Sequence, residues 1–327
     1  MVAKEIELDR DVVRFRSLTF ASSTKQSYAS HRRAYLKFCL EMGYHPVPIS
    51  TLNICRYAAF LSKRLAFSSI KKYLNIIRIL HLEAGFPNPM KENWFLDTVL
   101  KGVARDKGKV VHRKLPITPA ILLAIKSRLN PTSVEDLVFW AAALVAFFGF
   151  LRKANLFPSS THKFDPSKHL SRLDFSLYHW GILLHIRWSK TIQYGERVLS
   201  TPLPRLQGHP LCPVDAVLRA LIATRGAPPG GPAFMIPRAG GFIPLSPAKF
   251  ISLLKSHLSA LGFSPVNFSG HSFRRGAATW ALTRGLPGEV IKILGDWKSD
   301  AYLAYLSLDQ KEKVNSIFMF ATGLPTH

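Results

Sequence analysis

The segment HSFRRGAATWAL, residues 271–282, places a histidine and arginines at the start of a helix-like pattern. His271 and Arg274 are three residues apart, so on a helix they share one face and can converge on one small anion. Ser269 and Gly270 precede them and indicate a helix start, where unpaired backbone N–H groups also attract phosphate. Most such pairs are only a capped helix end with one surface arginine. The chemistry to be tested is therefore phosphate binding, and other parts of the chain must support it.

Two further helices are predicted directly after this segment. Pro287 is predicted to open a second helix and Gly295 to close it. The segment GDWKSDAYLAYLSL comes after it, with Ser299 as the predicted N-cap of a short helix that holds Tyr302 and Tyr305.

These elements, in this order, resemble the C-terminal signature of the tyrosine recombinases: an HxxR pair, a glycine–tryptophan step and then a tyrosine. Upstream, FFGFLRKANLF resembles the first-arginine segment of that family, with the arginine at Arg152. The segment IRWSKTIQYGERV resembles the family's lysine-bearing β-hairpin, with the lysine at Lys190. The resemblance covers about residues 18–320, and four ordered elements are more specific than any one of them.

The resemblance implies a role for each matching residue. Tyr305 would attack the scissile phosphate and become joined to the DNA 3′ end. Arg152 and Arg274 would bind the nonbridging oxygens, where negative charge develops. His271 would hydrogen-bond the same phosphate and help to manage the tyrosine proton.

Two further residues complete the implied site. Lys190 would protonate the departing 5′ oxygen, and Trp297 would support the nucleophile at a position where many relatives have histidine. Neither a metal nor another cofactor is implied, because the phosphotyrosyl bond stores the energy for religation. The chain departs from the family at Asn155, where an acidic residue is usual, and in the spacing from Trp297 to Tyr305, which is one residue short. Tyr302 is the alternative nucleophile.

Composition supports a polyanionic partner. Lys and Arg total 44 against 20 Asp and Glu, a formal net charge of +24 in 327 residues, so nucleic acid is the first expected partner and an acidic membrane surface the second. The longest apolar run, residues 137–151, is too short to span a bilayer and predicts a buried helix. The three cysteines are far apart and predict reduced structural thiols.

The pattern along the chain predicts two domains. Residues 18–104 show helical periodicity and resemble the family's core-binding (SAM-like) domain, residues 105–117 are polar and predict a linker, and residues 118–327 form the catalytic domain. The expected fold is mainly α, with a small antiparallel β-sheet of three short strands in the catalytic domain, the α+β arrangement of DNA breaking-rejoining enzymes.

Several side chains outside the implied site are candidates for contacts with the DNA backbone. Two lysines stand just inside a helix start, where lysine is unfavourable for the helix dipole and DNA contact would explain it. A solvated surface explains these positions about as well, and Arg275 is expected to contact phosphate or solvent. The candidates are His31, Arg32, Arg33, Lys71, Lys72 and Arg275.

The predicted function is site-specific DNA recombination or integration through a 3′-phosphotyrosyl intermediate. The expected partners are double-stranded DNA and three further copies of the chain, a homo-tetramer on paired DNA sites, with no membrane partner. GDWKSDAYLAYL and AGFPNP are closest in style to the recombinases of DIRS, Ngaro and Crypton mobile elements of eukaryotes, which implies the nucleus, and otherwise the cytoplasm.

Three alternatives stay open. The first is a DNA-binding protein derived from a recombinase that has lost catalysis, suggested by Asn155 and the short tyrosine spacing. The second is a type IB topoisomerase, which shares the chemistry. The third, a metal-dependent transposase or nuclease, is remote because 20 acidic residues offer no convincing triad of carboxylates.

Overall fold

The computed structural model describes residues 2–108, 113–158, 163–192 and 195–304, together with residues 306 and 314. The chain divides into two compact units, Met1–His112 and Arg113–His327. Each unit has its own hydrophobic core. Within the described residues, no helix is both long and apolar enough to cross a bilayer.

The N-terminal unit is helical in its described part, as predicted. Side chains cap two of its helices: Ser50 accepts a hydrogen bond from the backbone N–H of Asn53, and Asn93 accepts one from Leu96. The second helix packs on the fourth and the third on the fifth, around a core that includes Tyr35. The helices are α1 (Val2–Leu18), α2 (Ser22–Met42), α3 (Thr51–Ser62), α4 (Phe67–Glu83) and α5 (Trp94–Lys107).

The C-terminal unit is built around one buried helix, α7. All side chains of residues 138–147 are buried, which confirms the prediction from the long apolar run. Ser133 caps this helix by accepting a hydrogen bond from the Asp136 N–H. The helices of this unit are α6 (Pro119–Lys126), α7 (Val134–Phe148), α8 (Lys153–Leu156), α9 (Pro213–Ala223), α10 (Pro247–Ala260), α11 (His271–Thr283) and α12 (Gly288–Leu294). Helices α9 and α11 pack directly against α7.

Two antiparallel sheets complete the described part of this unit. The three-stranded sheet has the order β1 (Phe175–Tyr178), β2 (Gly181–Ile186), β3 (Leu199–Pro204), as the alternating pattern predicts. The prediction of a single sheet is wrong, because β4 (Met235–Arg238) and β5 (Gly241–Pro244) form a second hairpin. Its four-residue strands contain prolines and glycines, so the segment has no clear period-two signal.

The division between the two units falls inside the range 105–117, and both ends of that range have contacts of their own. Helix α5 continues to Lys107, and residues 114–117 are attached to the C-terminal unit. The Leu115 N–H donates to the Asn267 carbonyl (2.7 Å) and the Ile117 N–H donates to the Ser272 carbonyl (2.9 Å). This segment therefore lies along the start of α11.

The contact between this segment and α11 requires a glycine. A Cβ atom on Gly276 would lie 1.8 Å from the Ile117 carbonyl oxygen, a distance that no side chain can tolerate. The close approach brings the backbone of α11 onto the segment and sets the position of the helix that carries His271 and Arg274.

We expect Gly276→Ala to destabilise the C-terminal unit by about 1–3 kcal/mol, because the added methyl group must displace backbone. The measurement is the thermal unfolding transition by calorimetry. The matched control is Gly102→Ala in α5, where a Cβ meets nothing within 4 Å. That change should stabilise slightly, since alanine favours helix by about 1 kcal/mol over glycine. Equal effects of the two changes would contradict the packing argument.

Candidate functional site

Helix α11 begins where the sequence predicts. The Ser269 hydroxyl accepts a hydrogen bond from the His271 N–H (3.3 Å), and the Ser272 hydroxyl accepts one from the Ser269 N–H (2.9 Å). These bonds satisfy backbone donors at the helix start. His271, in the first turn, is solvent-exposed, whereas Arg274 is 2% exposed.

The buried guanidinium of Arg274 is held by three parts of the unit. One terminal nitrogen donates to the Phe150 carbonyl just after α7, and the other donates to the Gly295 carbonyl at the end of α12 (2.6 Å). The guanidinium carbon lies 3.7 Å from the ring centroid of Trp297. Arg274 therefore connects α11 with the ends of α7 and α12.

Trp297 packs against both Phe150 and Tyr302. Its ring is 7% exposed and contacts Phe150 edge-on, with 6.4 Å between the centroids. Tyr302 lies against it at 6.2 Å and is itself 6% exposed. Tyr302 is thus part of the packing, while Tyr305, the predicted nucleophile, lies outside the described residues.

Arg152 is half-buried at the start of the short helix α8. Its backbone N–H donates to the Asn155 side-chain oxygen (3.2 Å), and the Asn155 side-chain nitrogen donates to the Trp188 carbonyl (3.4 Å). Asn155 is 7% exposed. The amide, where an acidic residue is usual in the family, therefore orients its neighbours through hydrogen bonds without supplying a charge.

Lys190 lies in a tight turn between β2 and β3. The turn is closed by two backbone hydrogen bonds between Ser189 and Ile192, of 3.0 and 3.2 Å. Ile192 is fully buried and anchors the turn, whereas Lys190 is exposed. Trp188, whose carbonyl accepts the hydrogen bond from Asn155, directly precedes Ser189, so the turn is connected through Asn155 to Arg152.

His271 has cationic surroundings. The His271 side chain keeps contact with solvent, but partial desolvation by its neighbours, and then the positive charges of Arg152, Lys153, Arg274 and Lys190, lower its pKa. Three side chains that the sequence analysis selected, Arg152, Lys190 and Arg274, thus lie close enough to His271 for their charges to act on it. The small pocket beside them, about 10 Å³, has both Arg152 and Arg274 in its lining.

Two side chains in this region were not selected from the sequence. The stem of Lys153 packs against Gly270, where a Cβ would lie 3.1 Å from its Cδ, and its charge acts on His271. Asp296 lines the same small pocket as the two arginines. Each is the sequence neighbour of a selected residue, since Lys153 follows Arg152 and Asp296 precedes Trp297. Adjacency in sequence does not determine where a side chain points.

The candidates for DNA contact in the N-terminal unit are only partly brought together. His31, Lys71 and Lys72 line one groove between α2 and α4, with a volume of about 730 Å³. Arg32 and Arg33 are exposed and are not part of that lining. Hydroxyl and amide side chains complete the groove: Ser23, Thr24, Ser27, Tyr28 and Asn75.

Arg32 has a different contact. It forms an ion pair with Glu83 at the end of α4, with 2.5 Å between nitrogen and oxygen, and both side chains are more than 40% exposed. The pair joins α2 to α4 at the surface, where such pairs contribute little to stability.

Arg275 is placed inside the C-terminal unit, which does not match the expected contact with phosphate or solvent. It is 8% exposed, and its guanidinium donates to the Lys114 carbonyl (2.6 Å). The bond holds the segment before α6 against α11, so this arginine has a structural role.

The sequence has a relative of known class. It is 24% identical over 269 residues to an integrase/recombinase XerD homolog from Selenomonas ruminantium, a match that covers 80% of this chain and 74% of the relative. No family model matches the sequence.

The fold is similar to that of solved recombinases. The Tn1549 transposon integrase in complex with transposon right end DNA matches with a TM-score of 0.64 and 15% identity, over 97% of this chain and 99% of that one. A lambda integrase dimer bound to a COC′ core site matches with a TM-score of 0.55 and 16% identity, over 92% and 76% of the two chains. The fold is therefore that of these integrases, mainly helical with small antiparallel sheets, as predicted.

The sequence relative, an integrase/recombinase, supports the predicted resemblance to the tyrosine recombinase/integrase family. The finer resemblance to DIRS, Ngaro and Crypton recombinases stays a prediction.

We expect the pKa of His271 to lie below its ordinary value of about 6.5. Arg152→Gln removes one of the charges that disfavour the imidazolium, so it should raise this pKa. The measurement is an NMR titration of the ring resonances, assigned by their loss in His271→Gln. Arg238→Gln, in β4, is the control, because Arg238 is not among the charges that act on His271.

The lowered pKa of His271 also makes the stability of the protein depend on pH. Between the lowered pKa and about 6.5, the unfolded chain binds more protons at this residue than the folded chain, so stability should rise with pH across that window. His271→Gln should reduce this pH dependence. A His271 pKa at or above 6.5 would contradict the convergence of the four cations.

Proposed function

We propose that this protein is a site-specific DNA recombinase that cleaves and rejoins DNA through a 3′-phosphotyrosyl intermediate. The observation that carries the proposal is the convergence of Arg152, Lys190 and Arg274 on His271. These side chains come from the N-cap of α8, the turn between β2 and β3, and α11. A cluster of like charges is unfavourable by itself, and a phosphodiester is the ligand that would neutralise it.

The proposed chemistry follows from the positions of these groups. Arg152 and Arg274 bind the nonbridging oxygens and stabilise the negative charge that grows in the transition state. The lowered pKa of His271 keeps its imidazole neutral near pH 7, so it can accept a hydrogen bond or the proton of the tyrosine.

The bond changes balance without a cofactor. The phenol oxygen of Tyr305 forms a bond to phosphorus, and the bond between phosphorus and the 5′ oxygen breaks. The phenolic proton leaves towards the base, and Lys190 gives a proton to the 5′ oxygen. Reversal with a new 5′ hydroxyl rejoins the strand.

Double-stranded DNA is the proposed partner, and the structurally similar Tn1549 integrase is in complex with transposon right end DNA. The net charge of +24 and the groove with Lys71 and Lys72 support this partner. We further propose that two pairs of protomers act on two duplexes as a tetramer, because exchange of strands requires cleavage at paired sites. The origin in a eukaryotic mobile element, and hence the nucleus, belongs to the same proposal.

The nucleophile is tested with a nicked duplex that loses a short fragment on cleavage and so traps the covalent complex. The unchanged protein should form the complex, and Tyr305→Phe should reduce it to background because the attacking oxygen is gone. Tyr302→Phe is the matched control, since Tyr302 packs against Trp297 and should leave the yield nearly unchanged. The complex is measured by its retarded migration in denaturing gels.

Each other outcome assigns a different function. No complex with the unchanged protein would favour a DNA-binding protein without catalysis, and loss only in Tyr302→Phe would make Tyr302 the nucleophile. A requirement for magnesium, seen as loss of activity in chelator, would favour a metal-dependent nuclease. Relaxation of supercoiled DNA without a defined site would favour a type IB topoisomerase.

The groove in the N-terminal unit makes a separate prediction. Lys71→Gln and Lys72→Gln should each weaken binding to duplex DNA and lower the slope of log affinity against log salt by up to about 0.9, the effect of one lost phosphate contact. Fluorescence anisotropy over a salt series measures both quantities. Lys37→Gln is the control, because Lys37 lies on α2 outside the groove and pairs with Glu41. Unchanged slopes in both variants would place these lysines away from the DNA.

A further inference from the structure

An acidic side chain lies next to the cationic cluster. Asp296 follows Gly295, whose carbonyl accepts the hydrogen bond from Arg274, and precedes Trp297, whose ring lies under the same guanidinium. The Asp296 side chain is 11% exposed and lines the small pocket that also contains Arg152. Its carboxylate is therefore fixed inside the site.

The carboxylate of Asp296 contacts the turn that carries Lys190. One oxygen accepts a hydrogen bond from the Thr191 hydroxyl, and the other pairs with the Arg197 guanidinium. Thr191 is the residue next to Lys190, and Arg197 lies before β3 on the returning chain. We call these contacts of Asp296 with Thr191 and Arg197 the Asp296 bridge.

A second ion pair joins the same two segments. Glu196 lies 3.7 Å from Lys298, with the acidic partner now on the side of the turn and the basic partner beyond α12. Because this pair is more exposed than the first, it contributes less. Together the contacts hold the residues around the Lys190 turn against the end of α12.

The backbone at Asp296 fixes where its side chain lies. The residue has φ 52°, in the left-handed region, and its N–H donates to the Ile293 carbonyl (3.0 Å). The following N–H, of Trp297, donates to the Lys292 carbonyl (3.0 Å), which closes the end of α12. Aspartate and asparagine tolerate this conformation better than most residues other than glycine.

A carboxylate at this place is unsuited to contact the scissile phosphate directly, because two negative charges repel. Its partners instead belong to the turn that supplies the proposed general acid. Asn155, in the same pocket, provides no charge, so the acidic component of the described pocket comes from Asp296.

We propose that Asp296 is a positioning residue that holds the Lys190 turn so that the ammonium group reaches the departing 5′ oxygen. The inference rests on the proposed function. It assigns to the loop after α12 a part in leaving-group protonation, through the bond to the neighbour of Lys190. The loop thus links the phosphate-binding Arg274 with the residue that donates the proton.

A change of leaving group separates this role from a general structural one. When the bridging 5′ oxygen of the nicked duplex is replaced by sulfur, the departing thiolate needs no proton, because thiols have a pKa of about 8.5. Loss of a general acid then has little effect, whereas loss of phosphate binding or of the fold affects both substrates. The readout is the rate of covalent-complex formation with each substrate.

The variants are chosen so that the backbone conformation is kept. Asp296→Gly removes the side chain at a positive φ that glycine adopts freely, and Asp296→Asn keeps the shape without the charge. We expect Asp296→Gly to slow cleavage of the oxygen substrate on the order of 10²-fold, the lower end of general-acid effects, and to cleave the sulfur substrate within a few-fold of the unchanged protein. Asp296→Asn should show the same pattern with a smaller loss.

Two further variants calibrate the result. Lys190→Ala should also cleave the sulfur substrate better than the oxygen substrate. The double variant Lys190→Ala with Asp296→Gly should be no slower than Lys190→Ala alone, because each change removes the same function, protonation of the 5′ oxygen. Asp300→Asn is the control: this carboxylate, four residues on, is 71% exposed and pairs with Lys292, so both rates should stay unchanged.

Equal losses of Asp296→Gly on the two substrates would overturn the proposal and assign Asp296 to the phosphate-binding side or to the fold. Additive losses in the double variant would do the same. If the unchanged protein forms no complex with either substrate, the proposed function itself fails, and this inference fails with it.

Discussion

The site depends on one buried positive charge that three elements hold in place. Removing a guanidinium from water costs several kcal/mol unless hydrogen bonds and charges compensate. At Arg274 the compensation comes from the carbonyls of Phe150 and Gly295 and from the face of the Trp297 ring. Since these partners lie at the ends of α7 and α12, the arginine is satisfied only when both helices end where they do. The position of the Arg274 guanidinium is therefore fixed by the folding of the unit itself.

The cationic groups around His271 repel one another, and the packing of the unit holds them in place despite this repulsion. Arg152 is fixed by the turn that Asn155 stabilises, and Lys190 by a turn anchored on buried Ile192. A transition state with extra negative charge gains more from such a cluster than the ground state does, which is how a preorganised site accelerates a reaction. A carboxylate at the centre of the cluster would repel that negative charge, and Asp296 instead contacts Thr191 and Arg197 beside the cluster.

Local signals account for the elements that the sequence predicted correctly. Helix α7 follows from an apolar run with Ser133 before it, and α12 follows from Pro287 and Gly295 at its two ends. The second hairpin was missed because four-residue strands containing prolines and glycines carry little pattern. His31 meets Lys71 and Lys72 in one groove because α2 packs on α4, whereas Arg32 pairs with Glu83, and neither contact has a local sequence signal.

The sequence by itself determined the types and order of the site residues and the limits of most helices, because these depend on neighbours a few residues apart. Its composition also determined that the expected partner is negatively charged. Tertiary structure decided which side chains converge. Arg274 and Arg275 are adjacent and chemically identical, yet one joins the site and the other bonds to the Lys114 carbonyl. Asp296 likewise joins the site only because the turn with Thr191 and Arg197 packs beside it. Contacts between residues a hundred or more positions apart depend on how whole elements pack, and no short stretch of sequence specifies that packing.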